Sequence, residues 1–225
     1  MMTTDMDQIS GDRFATMRHA MVASQLRTTA VEDQRVVAAM ARLPREDYLP
    51  RSARDLAYRD TAIALGGGRY ANLPLATARL LDAADLHADE RVLLIGSAGG
   101  YTAAVLAEIV AEVTAVESDP ALAAIARERL EHAKRIVLVE GPLAEGDAAG
   151  APYDVLVIDG AVPAVPQALA DQIRPGGRAV LGLVDRGLTR LAAGARTPGG
   201  FAVMPFLDCD CAVLPGFDQP TPFRF

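Results

Sequence analysis

The sequence has 225 residues, and its 22 lysines and arginines against 29 aspartates and glutamates give a net charge of −7. A chain with this acidic balance lacks the basic surface that neutralises phosphates, and we therefore expect no nucleic acid partner. The apolar fraction of 51% is ordinary for a globular protein and excludes a disordered one, so a single domain over residues 1–225 is predicted.

The first part of the chain, residues 1–88, is predicted to form a helical cap and the loops beside a binding cleft. Apolar residues recur at helical spacing in three stretches, of which the second follows a candidate N-cap at Asp33. These stretches are residues 14–22, residues 36–43 and a helix that begins at Pro74. Between the second and the third, residues 49–68 are expected to form an irregular loop.

From residue 89 to residue 225, short apolar runs alternate with helical segments. The runs are RVLLIG, EVTAVES, RIVLVEG, YDVLVIDG and RAVLGLV. Because continuous apolar strands are buried on both faces, they predict a mostly parallel sheet that helices cover on both sides. The last apolar segments, FAVMPFL and CDCAVL, have no helix between them and predict antiparallel strands at the carboxyl end of the chain. The predicted fold class is therefore α/β, a Rossmann-like, doubly wound sheet with an antiparallel carboxyl-terminal strand and a helical amino-terminal cap.

The sequence gives no indication of export or of a membrane. The first twelve residues are polar and acidic, unlike a signal peptide, and no apolar run reaches the roughly 18 residues of a membrane helix. Cys209 and Cys211 stand two apart in a predicted strand, where they would point to the same face as small buried hydrophobes rather than bond each other. We therefore expect a cytoplasmic protein without membrane contact.

A glycine-rich segment after the first strand of this region is a candidate ligand site. The segment IGSAGGY at 95–101 follows a strand and opens a helix, where small residues let a ligand approach the backbone and its free N–H groups. About twenty residues later Glu117 ends the next strand, where a carboxylate can accept both hydroxyls of a ribose. Dehydrogenases and methyltransferases share this layout, and a merely tight turn beside a solvated glutamate is the simpler alternative. The candidate contacts are Gly96, Ser97, Ala98, Gly99, Gly100, Tyr101 and Glu117.

Longer stretches resemble the protein-L-isoaspartate O-methyltransferase family. The segments MVASQLRTTAVEDQRVVAAMARLPREDYLP and AYRDTAIALGGGRYANLP carry the family's opening, and VLLIGSAGGYTAAVLA, VTAVESDP, GAPYDVLVIDGA and VPQALADQIRPGG continue it. The resemblance implies the fold of class I S-adenosylmethionine-dependent methyltransferases. It also implies methyl transfer from S-adenosylmethionine to the free carboxylate of L-isoaspartyl residues in damaged proteins and peptides. That carboxylate is already ionised at neutral pH, so orienting groups rather than a strong base are expected.

Four positions depart from the family's pattern. Asn72 stands where the family has a hydroxyl residue of the active site, although an amide can still donate and accept hydrogen bonds. Leu94 replaces an acid two residues before the first glycine, and Ala98 replaces the middle glycine. Pro142 takes the position of an aspartate that contacts the adenine amino group. Since each lost hydrogen bond to a charged group costs about 1.5–3 kcal/mol, weak or lost cofactor binding is predicted, with Glu117 as the retained polar contact.

Asp159 ends the fourth strand, where some other methyltransferases of this fold place a catalytic or metal-binding acid. The alternative is an aspartate that caps the following loop. Asn72 and Asp159 are therefore the candidate catalytic residues. The three histidines, His19, His87 and His132, are scattered over different segments, and no metal site is predicted.

Four arginines are expected around the mouth of the cleft, at positions 51, 54, 59 and 69. Arginine binds carboxylates through a planar fork, so these side chains could meet an acidic substrate. Surface solvation is the alternative interpretation.

Three functional hypotheses follow. The first is an isoaspartyl methyltransferase that binds its cofactor at 96–101 and Glu117 and orients the substrate carboxylate near Asn72. The second is a non-catalytic descendant that acts as a binding module, which Leu94, Ala98 and Pro142 favour. The third, a methyltransferase with another acceptor, rests on Asn72 and Asp159. Cofactor binding would exclude the second, and methylation of an isoaspartyl peptide would separate the first from the third.

Overall fold

The structure is a computed structural model, which describes residues 3–217 and the side chains from residue 11 onward. The predicted amino-terminal helices are all present. They are α1 (Thr3–Met21), which continues as a turn of π-helix over Val22–Leu26, α2 (Gln34–Arg42) and α3 (Pro74–Ala83). Asp33 caps α2 as predicted, because its side chain accepts a hydrogen bond from the backbone N–H of Arg35 at 2.8 Å.

The stretch expected to be a loop over residues 49–68 contains regular structure, and that prediction was wrong. It holds a 3₁₀ helix at Arg51–Leu56 and most of an antiparallel hairpin, which strands β1 (Ile63–Gly66) and β2 (Arg69–Ala71) form. A second 3₁₀ helix, Arg45–Tyr48, precedes it. The glycines at 66–68 all adopt positive φ and make the hairpin turn, which is the conformation that glycine supplies most easily.

The remaining strands form one seven-stranded sheet with the order β5-β4-β3-β6-β7-β8-β9. Their bounds are β3 (Arg91–Ile95), β4 (Glu112–Glu117), β5 (Ile136–Glu140), β6 (Tyr153–Val162), β7 (Ile173–Asp185), β8 (Leu188–Thr197) and β9 (Gly200–Asp208). Helices α4 (Tyr101–Ala107), α5 (Pro120–Arg129) and α6 (Gln167–Ala170) connect the parallel strands. Strand order reverses between β3 and β6, and ligands of such sheets bind beside the carboxyl ends of the strands at that point.

The carboxyl-terminal strands are antiparallel, as predicted, but the two strands that pair are not the two segments that were predicted. β9 covers the predicted FAVMPFL segment, whereas its partner is β8, and CDCAVL forms no strand apart from a bridge between Ala161 and Val213. The two-residue turn Arg186-Gly187, with both φ angles positive, folds β8 back onto β7. Cys209 and Cys211 therefore lie outside any strand, as free and partly buried thiols.

Apolar side chains pack on both faces of the sheet, as the continuous apolar strands predicted. Along β3, Leu94 belongs to the cluster beneath α1 to α4, whereas Leu93 and Ile95 belong to the cluster that includes Leu214 and Phe217 on the opposite face. In the part of the chain that the structure describes, no helix is both long enough and apolar enough to span a bilayer.

Candidate active site

The glycine-rich segment leaves β3 and turns sharply beneath β4. The backbone N–H groups of Gly96 and Ser97 both donate to the carbonyl oxygen of Val116, at 3.0 and 3.2 Å. A side chain at Gly99 would begin 1.9 Å from the carbonyl oxygen of Tyr48, so that the segment passes too close to its neighbour for any other residue. Ala98 has a φ of 48°, a left-handed conformation that costs a residue with a Cβ about 1–2 kcal/mol.

Glu117 ends β4 next to this segment, where strand order predicted it. Its side chain is buried, and its carboxylate accepts hydrogen bonds from the backbone N–H groups of Ala98, Ser118 and Asp119 at 2.7, 2.9 and 3.0 Å. These bonds fix both carboxylate oxygens in place. The position agrees with the expected ligand contact, and the role of Glu117 stays a prediction.

Arg69 on β2 reaches across the cleft and binds the same carboxylate. Its Nε lies 3.1 Å from Oε1 of Glu117 and its Nη2 lies 2.7 Å from Oε2, and both side chains are only 2% exposed. The suggestion that Arg69 stands at the mouth to meet an acidic substrate was therefore wrong. The hairpin folds over the glycine-rich segment and directs this arginine inward.

The other three predicted arginines lie at the surface. Arg51 and Arg59 are exposed, and Arg54 is 4.0 Å from the carboxylate of Asp47. Arg51 and Arg54 line a second pocket with Arg129, and Glu117 is not among its lining residues. The structure thus does not gather the four arginines into one group.

Asp159 joins three segments near the carboxyl end of β6, and because the strand continues to Val162 the prediction that Asp159 ends it was wrong. Its Oδ1 accepts from Nδ2 of Asn72 at 3.0 Å and from Oγ1 of Thr77 at 2.7 Å, and its Oδ2 accepts from Oγ1 of Thr102 at 2.5 Å. Oδ1 of Asn72 in turn accepts from the backbone N–H of Ala212 at 3.1 Å. The structure therefore brings the two candidate catalytic residues into direct contact. The alternative, in which Asp159 caps its own following loop, was wrong because these partners lie on other elements.

A small cavity lies beside Asn72 and Asp159. Only about 20 Å³ is open to the centre of a water molecule, which is room for about one water. Its walls include Arg45, Tyr48, Asn72, Ser97, Tyr101 and Asp159. A pocket for a nucleoside-sized ligand is typically about 300–1,000 Å³, so that the cleft is closed in this arrangement.

Arg45 lies beneath this cavity and was not among the predicted site residues. It is 3% exposed, donates from Nη2 to the carbonyl oxygen of Asn72 at 2.6 Å, and stacks 4.9 Å above the ring of Tyr101. Burial lowers the pKa of Arg45 and raises the pKa of the Tyr101 hydroxyl. The Pro-Arg-Glu sequence that places Arg45 after α2 was the available signal. No sequence pattern indicated that Thr77 and Thr102 would bind Asp159.

Two departures from the family's pattern lie away from the cavity. Leu94 is fully buried in the apolar core. Pro142 is exposed in the loop after β5, next to Gly141, whose N–H donates to the carbonyl oxygen of Glu117. Within residues 3–217, no group of three or more histidine, cysteine, aspartate or glutamate side chains is arranged to hold a metal ion.

Comparison with known proteins defines the family. The model of the protein-L-isoaspartate(D-aspartate) O-methyltransferase family matches residues 16–200. The chain belongs to this family. A protein-L-isoaspartate O-methyltransferase 1 of Rhodopseudomonas palustris is 40% identical over 190 residues, covering 82% of this chain and 76% of the relative. An isoaspartate methyltransferase of Koribacter versatilis is 35% identical over 94% of this chain and 96% of its own length.

Solved structures of the isoaspartate methyltransferase family share the fold. One protein-L-isoaspartate O-methyltransferase superimposes with a TM-score of 0.75 at 22% identity, covering 89% of this chain and 67% of its own. A second, from Plasmodium falciparum and in complex with S-adenosyl-L-homocysteine, has a TM-score of 0.71 at 15% identity, covering 88% and 98%. The class I methyltransferase fold predicted from the sequence is thereby confirmed.

The isoaspartate methyltransferase family uses S-adenosylmethionine, and the cleft of this structure does not fit it as it stands. The carboxylate of Glu117, which would face the ribose, is fully engaged by Arg69 and by backbone N–H groups. The small cavity, which the glycine-rich segment, Asn72 and Asp159 line and Glu117 does not, has only about 20 Å³ open to a water centre. The residues of the cofactor segment are in place, but the hairpin occupies the space above them.

Proposed function

We propose that this chain transfers a methyl group from S-adenosylmethionine to the free carboxylate of L-isoaspartyl residues in damaged proteins and peptides. The observation that carries this proposal is the match to the isoaspartate methyltransferase family over residues 16–200. Relatives with that activity in their names align at 35–40% identity along most of this chain. The alternative of a non-catalytic binding module is not favoured, since these relatives carry the name of the enzyme.

Asn72 is proposed to orient the acceptor carboxylate. Its side chain is fixed at both ends, because Oδ1 accepts from Ala212 and Nδ2 donates to Asp159. The amide nitrogen carries two hydrogens, and the second is available to a carboxylate at the edge of the cavity. Because an ionised carboxylate needs no base, holding it in line is the main contribution that the protein can make.

Asp159 is proposed to act through Asn72 as a positioning residue. Its two oxygens hold the amide of Asn72 and the hydroxyls of Thr77 and Thr102. A carboxylate that holds three donors from other segments is a rigid anchor for the amide of Asn72.

The cofactor contacts stay as the sequence predicted them. They are the segment from Gly96 to Tyr101, with Ser97, Ala98, Gly99 and Gly100 between them, together with Glu117, and Pro142 on the adenine side. The hairpin must move away from Glu117 before a ligand of this size can enter. Isoaspartyl proteins of the cytoplasm are the proposed partners, which the family match supports. The acidic net charge of −7 argues against nucleic acid as a partner.

The test is methylation of a peptide that contains one L-isoaspartyl residue. We expect methyl ester on this peptide and none on the same sequence with a normal aspartyl residue. Asn72→Ala is expected to lower kcat/KM about tenfold or more, whereas Asn72→Ser, which restores a hydroxyl, should retain activity. Ester on both peptides would instead indicate another acceptor. A chain that binds S-adenosylhomocysteine and methylates neither peptide would contradict the proposal.

A further inference from the structure

The carboxylate of Glu117 has no free capacity for a ligand. It accepts five hydrogen bonds, two from Arg69 and three from backbone N–H groups. A carboxylate offers about four lone-pair positions, so that these oxygens are saturated. The two nitrogens of Arg69 approach both oxygens in the paired geometry with which two neighbouring hydroxyls of a ribose would approach them.

The hairpin that carries Arg69 also contacts the loop after Glu117. A Cβ at Gly67 in the hairpin turn would lie 2.9 Å from Oδ2 of Asp119, which caps α5. Gly67 therefore rests directly against that carboxylate. The turn and the arginine thus cover the two ends of the same short loop, residues 117–119.

The hairpin has the structure of an element that can move. It forms a two-stranded sheet of its own and shares no strand pairing with the seven-stranded sheet. Its turn, Gly66, Gly67 and Gly68, is exposed, and the hairpin is attached inward through the buried Ile63, Arg69 and Ala71 and the partly buried Leu65. Isolated two-stranded hairpins are marginally stable, and segments with few buried contacts open at low free-energy cost.

We propose that the β1–β2 hairpin is an internal occupant of the cofactor cleft, with the guanidinium of Arg69 in the place of the ribose hydroxyls. The nucleoside cofactor then binds only the fraction of molecules in which Arg69 has left Glu117, and its apparent affinity falls by that fraction. This inference rests on the proposed role of Glu117 as the ribose contact. It assigns to Arg69 a control over cofactor affinity that is separate from methyl transfer.

The first measurement is calorimetric titration with S-adenosylhomocysteine of the wild type, of Arg69→Ala and of a matched control. The control is Arg178→Ala, because Arg178 also binds a buried carboxylate through two contacts, at 2.8 and 2.9 Å to Glu90, but at the opposite end of the sheet. Arg69→Ala is expected to bind about tenfold more tightly or better. Arg178→Ala should bind like the wild type.

Guanidinium provides a competitor for the Arg69→Ala variant. Below its denaturing concentration, the free cation can occupy the space that the side chain leaves and pair with Glu117. It is expected to weaken binding of S-adenosylhomocysteine to Arg69→Ala, and to have little effect on the wild type, whose site Arg69 already fills.

Amide hydrogen exchange on the wild type keeps the test independent of the folding of Arg69→Ala. At saturating S-adenosylhomocysteine, exchange of residues 63–71 should become faster, since the hairpin is displaced. Equal affinities of wild type and Arg69→Ala, or slower exchange of the hairpin, would overturn the proposal and leave methylation untouched. Folded Arg69→Ala that does not bind would also overturn it. Tighter binding by this variant without any methylation would leave the hairpin inference intact and contradict the proposed function.

Discussion

The charged side chains beneath the cleft differ in how many hydrogen-bond partners they have. Glu117 and Asp159 accept several hydrogen bonds each, whereas Arg45 is buried with one backbone oxygen and one aromatic ring as its described partners. Both acids lie toward the carboxyl edge of the sheet, as the pattern of parallel strands predicted, although β6 continues beyond Asp159 to Val162. Their partners could not be predicted in the same way. Arg69 and Glu117 are 48 residues apart, and no local pattern connects them.

Asp159→Asn should lower the free energy of unfolding by about 2–4 kcal/mol. The substitution replaces one acceptor oxygen by an N–H₂ group, which then faces the donors of Asn72, Thr77 or Thr102. Urea denaturation measures the change. Asp185→Asn, at the exposed last position of β7, serves as the control and should change stability by less than about 0.5 kcal/mol. Equal effects of the two substitutions would show that the network around Asp159 is not structural.

At the scale of elements, one aspartate connects three strands at the amino end of the sheet. Asp154 at the start of β6 accepts from the backbone N–H of Arg91 on β3 at 2.7 Å and from Nε of Arg174 on β7 at 2.5 Å. Burial by itself would raise the pKa of Asp154. The hydrogen bonds from Arg91 and Arg174, with the charges of Arg174 and Arg178, outweigh burial and hold the pKa below its usual value.

The lowered pKa predicts a loss of stability in acid. A carboxyl group whose pKa is depressed by folding stabilises the native state above its unfolded pKa of about 3.9. That contribution disappears as the pH falls through the lower pKa of the folded state. The free energy of unfolding of the wild type should therefore fall more steeply between about pH 5 and about pH 3 than that of Asp154→Asn. Parallel pH profiles of the two proteins would contradict this account.

Some strands were predicted from the sequence and others were missed, and the difference has a physical reason. The parallel strands were found because each is a continuous apolar run between helices, a pattern that burial on both faces imposes. Strand β8 was missed, since Leu188–Thr197 holds mostly small and polar residues without a continuous apolar run, and becomes a strand through its pairing with β7. The β1–β2 hairpin was missed because its strands are only four and three residues long. The glycines at 66–68 indicated a turn, and a turn between two short strands forms a hairpin.

At the scale of the whole molecule, the helical cap and the sheet share one apolar core. Met21, Val36 and Met40 from the amino-terminal helices belong to the same buried cluster as Leu94 of β3 and Val105 of α4. We propose that the chain folds as the single domain over residues 1–225 that composition indicated, because neither part can bury its apolar face without the other.

Thermal unfolding is therefore expected to follow one cooperative transition. Far-ultraviolet circular dichroism reports the helices and strands, whereas near-ultraviolet circular dichroism reports the tyrosines packed in the cap and cleft, such as Tyr48, Tyr58 and Tyr101. The two signals should give coincident midpoints. An earlier loss of the near-ultraviolet signal would mean that the cap unfolds on its own and that the core is not shared.

The sequence by itself determined the fold class, the family and the positions of Glu117 and Asp159. The fold class follows from hydrophobic periodicity, the family from the resemblance of whole segments, and the two acids from their places toward the carboxyl ends of apolar strands. Each of these signals depends on neighbours close in the chain. Only the tertiary structure decided that Arg69 closes over Glu117 and that Asn72 is tied to Asp159, since those contacts join segments 48 and 87 residues apart. Side-chain partners across such distances are fixed by the direction in which a hairpin or helix packs, and that direction is a property of the whole core.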